Sequence, residues 1–147
     1  MGLFGVSHDK QTAEIMAPQW LKIASDCAKI TNTTKSPDVF FERYGLLIKT
    51  LEDLSGIEKY VRFKGSKPSA ILRETIHKKS TTIHDFLERY YQDTQYKMIG
   101  LKTIKAKESK AEAFLNSLTF FSDRMDATNI SEYTQMYENL LQLSRGK

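Results

Sequence analysis

The chain has few residues that break or staple structure. Among its 147 residues there are one cysteine, three prolines and seven glycines. The single cysteine, Cys27, excludes a disulfide within the chain, so nothing points to secretion. Scarce proline and glycine suit long helices, because an interior proline costs ~3 kcal/mol and a glycine ~1 kcal/mol. No apolar run approaches the ~20 residues that a membrane-spanning helix needs. The apolar start at Met1-Gly2-Leu3-Phe4 is too short for a signal peptide. Met1-Gly2 opens like a myristoylation signal, but Val6 stands where serine or threonine is required. The expected location is the cytoplasm, away from any membrane.

The chain is rich in amphipathic periodicity and in unevenly placed charge. Net charge is +4. Residues 59–79 carry seven basic groups against Glu74 alone, and residues 97–110 carry five lysines against Glu108. Residues 112–138 reverse the sign, with Glu112, Asp123, Asp126, Glu132 and Glu138 against Arg124. A basic and an acidic region steer an anionic partner, or bring copies together head to tail.

Phe40, Tyr44, Leu47, Leu51 and Leu54 recur at steps of three and four, the spacing of one buried helical stripe. Ser36-Pro37-Asp38 gives that helix a cap, a first-turn proline and an acid at the positive end of the dipole. Gly56 is placed to end it in the left-handed conformation. An earlier helix is expected to open at Pro18, with Trp20, Ile23, Ala24, Cys27 and Ile30 inside and Thr31-Asn32-Thr33-Thr34 as its stop. Over 57–67, Tyr60, Val61 and Phe63 pin a connection to the core. Lys64-Gly65-Ser66-Lys67 then turns the chain into a helix opened by Pro68. From Leu72 to Ile104 the apolar residues keep one register, so a single helix of roughly 57 Å is expected over 68–105. A break near 80–82, at Ser80-Thr81-Thr82, is the alternative. Ser109 and Glu112 form a capping box for the next helix, with Ala111, Phe114, Leu115, Leu118 and Phe121 inside. Asp126 caps the last one, which turns Ile130, Tyr133, Tyr137, Leu140 and Leu141 inward. The expected fold is all-α: a five-helix, bundle-like domain over 17–147 with one long central helix, preceded by a loose or short-helical segment 1–16. The echo between Phe40-Phe41-Glu42-Arg43-Tyr44 and Phe86-Leu87-Glu88-Arg89-Tyr90 reads as coincidence between two amphipathic helices.

Several runs resemble a family of short helical proteins of low-GC Gram-positive bacteria and their prophages and mobile elements. They are Asp26 to Thr34, Pro37 to Tyr44, Phe86 to Thr94, Leu101 to Lys107 and Asn129 to Tyr133. The resemblance covers roughly residues 18–143. It implies a helical fold and a cytoplasmic bacterial or prophage origin. That family has no established activity, so the resemblance implies no site residues.

The chemistry-bearing residues do not assemble into a reaction centre. Glu74 and His77 have the Glu-x-x-His spacing of di-iron bundles, but such a site needs a second motif and two more inward glutamates. His77 and His84 flank the apolar stripe and read as solvated or rim histidines. Cys27 lies on an apolar stripe and reads as a small hydrophobe. Lys64-Gly65-Ser66-Lys67 lacks P-loop spacing. No enzyme, cofactor, metal or small-molecule substrate is expected. Of each adjacent aromatic pair only one member can face fully inward, which leaves Phe41, Tyr91 and Phe120 as candidates for a surface that binds another protein or a second copy. The alternative is nucleic-acid binding through Lys59, Arg62, Lys64 and Lys67 with Tyr60 and Phe63 interleaved, extended by Lys102, Lys105 and Lys107.

Overall fold

A computed structural model describes residues 10–125 and 130–146. Among the described residues there are six helices and no strand, as the periodicity requires. They are α1 (Lys10–Thr31), α2 (Pro37–Ile57), α3 (Pro68–His77), α4 (Lys79–Ile99), α5 (Ile104–Met125) and α6 (Ile130–Ser144), with a 3-10 turn over Glu58–Tyr60. The chain divides into two compact units, one ending at Thr82 and the other beginning at Ile83.

In the first unit, α2 forms as its residues dictate. Ser36 is extended (φ −99°, ψ 123°) and its Oγ accepts the Val39 N–H at 3.4 Å, with Pro37 at the first turn. Phe40, Tyr44, Leu47, Leu51 and Leu54 are all buried. Each leucine fully withdrawn from water stabilises by roughly 1.5–3 kcal/mol. The Phe40 and Tyr44 rings stack at 6.0 Å. The helix does not stop at Gly56, which has no positive φ; it continues to Ile57, and the Glu58 N–H donates back to Ser55. The burial of Ile57 draws the extra residues into the helix.

Helix α1 departs further from expectation. It opens at Lys10, and Pro18 lies in its interior rather than at its first position. Its buried face is Ala13, Ala17, Ala24, Cys27 and Thr31, with Trp20 half-buried beside them. Ile23, expected inside, is 40% exposed. Small side chains allow the backbone of α1 to approach the Leu47, Leu51, Leu54 and Ile57 ridge of α2, and that contact is the unit's core. The threonine-rich stop behaves as expected: the Thr33 hydroxyl donates to the Lys29 carbonyl at 2.8 Å, and the Thr34 N–H to the Ile30 carbonyl at 2.8 Å.

The single long helix is corrected to two. Helices α3 and α4 are separated at Lys78 (φ −90°, ψ 11°), not at Ser80-Thr81-Thr82. The Lys78 N–H still reaches the Glu74 carbonyl, and the Thr82 N–H the Lys78 carbonyl at 2.9 Å. Between Pro68 and Ile83 no residue is fully buried, although α3 packs on α2 and Leu72 reaches the core, so the helix is only weakly held where it breaks. The apolar register survives the break from Ile83 through Phe86, Leu87, Thr94 and Met98, all buried; Ile76 and Ile104, at its ends, are more than half exposed.

In the second unit, α5 opens before the expected capping box. Thr103 caps it, its Oγ1 accepting the Ala106 N–H at 3.1 Å, so Ser109 and Glu112 lie inside the helix. Ala111, Phe114 and Leu118 are buried from α5, and Tyr133, Met136 and Leu140 from α6, which packs on it. Leu115 is partly exposed instead. The Tyr90 ring stacks on Phe114 at 5.0 Å, and its hydroxyl pairs with the Ser117 hydroxyl at 3.1 Å, tying α4 to α5. Asp126 lies outside the described residues, as do the side chains of Phe120, Phe121 and Ile130.

Candidate functional site

Two concave surfaces lie on the first unit. The first runs between α1 and α2 and holds about 340 Å³. It follows from the alanine seam: with small residues buried, the large ones of α1 fall at its margin. Trp20, Ile23 and Cys27 from α1 face Leu46 and Thr50 from α2 across it. Ile23 and Leu46 are 40% and 38% exposed. Asp26, Arg43, Lys49 and Asp53 complete the lining. Three of these charges are committed to partners one turn away, Asp26 to Lys22 at 3.3 Å and Lys49 to Asp53 at 3.5 Å. Arg43 is different. Its Nε stands 3.7 Å from a Glu42 oxygen, is shielded from water, and makes no hydrogen bond among the described residues. Such a donor costs roughly 1–3 kcal/mol until an acceptor reaches it.

The second surface lies where the start of α1 meets the connection after α2, and holds about 470 Å³. Lys10, Lys59, Arg62 and Lys67 line it, with Tyr60, Val61 and Phe63 in the wall and Glu58 as its acid. Tyr60, Val61 and Phe63 pack against the α1–α2 core, which pins the connection as their apolar character requires. Lys59 Nζ lies 5.1 Å above the Tyr60 ring. Gly65 turns the loop at φ +81°, where a side chain would be strained. Glu58 is held by Ser69: its Oε1 accepts the Ser69 N–H and its Oε2 the Ser69 hydroxyl, both at 2.8 Å. These bonds cap the start of α3. They lower the Glu58 carboxyl below its ordinary value, the Ser69 hydroxyl first and its N–H second, with Lys67 and Arg73 adding attraction. A tie spanning eleven residues has no short-range signature in sequence, and it was missed there.

The expected site residues are distributed as follows. Lys59, Arg62 and Lys67 share the second groove, and Lys64 is exposed on its loop. Lys10, not singled out from sequence, joins them because α1 begins earlier than expected. Lys102, Lys105 and Lys107 belong to the other unit, around the start of α5. Phe41 is half-buried on α2. Tyr91 is half-buried on α4 with its ring 5.9 Å from Phe114, so much of it serves packing. The side chain of Phe120 lies outside the described residues.

His77 is exposed, Glu74 pairs with Lys78 at 3.0 Å, and His84 lies 4.0 Å from Glu88. Among the described residues no three His, Cys, Asp or Glu side chains come together to hold a metal ion. None of the described helices is long and apolar enough to cross a membrane. No protein-family model matches the chain, and neither a curated protein nor a solved structure matches it.

Proposed function

We propose that this is a non-enzymatic helical module of the bacterial cytoplasm that binds another protein through the groove between α1 and α2. One observation carries the reading. Helix α1 buries alanines and leaves Ile23 at the rim of a groove shared with Trp20 and Leu46. An apolar centre with an aromatic anchor and a charged margin has the composition of a protein-binding surface. The Arg43 guanidinium, part of whose side chain is exposed at the margin, adds charge that a carbonyl or carboxylate on the partner would meet. The apolar stripe of a partner helix suits a furrow between two helices. Cys27, the chain's single cysteine, is buried in this seam.

The test is a photocrosslinking amino acid placed at Ile23 in the producing cell. The expected result is one discrete crosslinked protein, whether a second copy or a different chain, which disappears when Leu46→Lys is added. Crosslinks no stronger than those from an exposed control position such as Lys29, or a product indifferent to Leu46→Lys, would refute the proposal.

A further inference from the structure

The basic, aromatic groove is separate from the protein-binding reading. We infer that it binds single-stranded nucleic acid, with Lys10, Lys59, Arg62 and Lys67 on the phosphates and the Tyr60 and Phe63 rings against the bases.

Four features of the groove support this assignment. Its cations come from two chain segments, Lys10 from α1 and the others from the connection after α2, and they converge on one concave surface. The usual structural reason for lysines, complementing a helix C-terminus, accounts for Lys59 just beyond α2 but not for Arg62, Lys67 or Lys10. The acid in the lining, Glu58, is turned to the Ser69 N–H and hydroxyl, so its charge is engaged in capping α3. The rings are anchored by packing on the α1–α2 core, so they present preset surfaces rather than loose side chains.

Phosphates alone would fit any polyanion. The aromatic walls select one with unpaired, flat bases, because a ring cannot reach the stacked interior of a duplex. An acidic peptide would satisfy the lysines and leave the rings without a partner.

The measurement is fluorescence anisotropy of a short labelled oligothymidylate titrated with the full chain at several salt concentrations. Four phosphates on a single strand, at ~0.7 per contact, give a slope of log affinity against log salt near −3. That corresponds to about a fifty-fold loss of affinity between 50 and 200 mM salt. The double substitution Arg62→Ala with Lys67→Ala reduces the slope by about 1.4. Phe63→Leu keeps an apolar side chain against the core and removes the ring. It should weaken the single strand about tenfold and leave the salt slope unchanged. Thermal melting of each variant separates loss of binding from loss of fold. Lys102→Ala with Lys105→Ala, in the other unit, should leave affinity as it is.

Duplex of the same sequence binding as tightly as the single strand would overturn the inference. So would a polyglutamate peptide competing equally well at matched charge. A uniform loss on removing Lys102 and Lys105 would also overturn it, since binding would then follow net charge rather than this groove.

Discussion

In the unit that ends at Thr82, α1 meets α2 through Ala13, Ala17, Ala24 and Cys27 set against Leu47, Leu51 and Leu54. In the unit that begins at Ile83, the buried apolar faces are mostly large: Phe86, Leu87 and Met98 on α4, Phe114 and Leu118 beside Ala111 on α5, and Tyr133, Met136 and Leu140 on α6. The first arrangement packs small residues into large ones and the second packs large against large. A small-residue seam lets the helices approach closely, but it sends the bulky residues of α1 to the margin. Ile15, Leu21 and Ile23 are each at least 40% exposed. The same choice that forms the seam therefore forms the apolar groove beside it. In the second unit Phe86, Tyr90, Tyr91 and Phe114 are taken up by packing on one another, as the 5.0 Å stacking of Tyr90 on Phe114 illustrates, while Tyr96 is 71% exposed.

The sharpest way to break this comparison is to truncate in one unit and enlarge in the other. Phe114 is fully buried, with Tyr90 and Tyr91 on its ring. Phe114→Ala should cost about 3–5 kcal/mol in the unfolding of its unit, followed by denaturant titration. Ala17 is 1% exposed at the seam, so Ala17→Leu should cost about 1–3 kcal/mol in the other. An Ala17→Leu variant as stable as the parent would mean that the seam has room to spare. The account of why bulky side chains are pushed outward would then fail.

The seam is also where sequence and structure part. Helix α2 was legible because five large residues mark its stripe and Ser36-Pro37-Asp38 marks its start. Helix α1 was legible only in its second half, where Ala24, Cys27 and the threonine-rich stop fall as expected; its first half was not, because alanine contributes little to a hydrophobic pattern even when it is the buried residue. Ile23 outweighed Ala13 and Ala17 in the periodicity, and Pro18 resembled a start signal. The Ser109 and Glu112 pair is a genuine capping pattern overtaken by Thr103, which caps first. The break at Lys78 left no trace in the register because a single residue departs from helical geometry while hydrogen bonds reach across it. Three of the four cations in the basic groove were visible as a cluster in sequence. Lys10 was not, since its place depends on where α1 begins.

Pro18 offers a second test of the same unit, opposite in sign. An interior proline lacks the N–H that would reach the carbonyl four residues earlier, and it costs up to ~3 kcal/mol. Pro18 is exposed, so Pro18→Ala removes no buried contact and restores that donor opposite the Glu14 carbonyl. The expected outcome is a gain in stability of up to about 3 kcal/mol, seen as a higher denaturation midpoint. Were Pro18 the first helical residue, its missing N–H would cost nothing and the change would be neutral or unfavourable. A flat or negative result would therefore restore the shorter α1 and remove Ala13 and Ala17 from the seam.

The smallest effect concerns the connection that completes the first unit. Glu58 is depressed in the folded state by the Ser69 hydroxyl and N–H. Its unfolded value is the ordinary one, ~4.3. A carboxylate with a lowered folded pKa stabilises fully above the unfolded value, and that contribution is lost as pH falls through the folded one. The group is open to solvent, so the effect is modest and is best read as a difference between proteins. Melting temperatures of the parent and Glu58→Gln should differ most near neutral pH and converge as the pH drops below about 4. Ser69→Ala should remove part of the same difference, since it deletes the first of the two bonds and leaves the N–H contact in place. A gap between parent and Glu58→Gln that stays constant across that range would show that shape rather than charge holds the turn to α3. The acid in the basic groove would then be free to oppose an anion, which would weaken the case for a phosphate-binding surface beside the alanine seam.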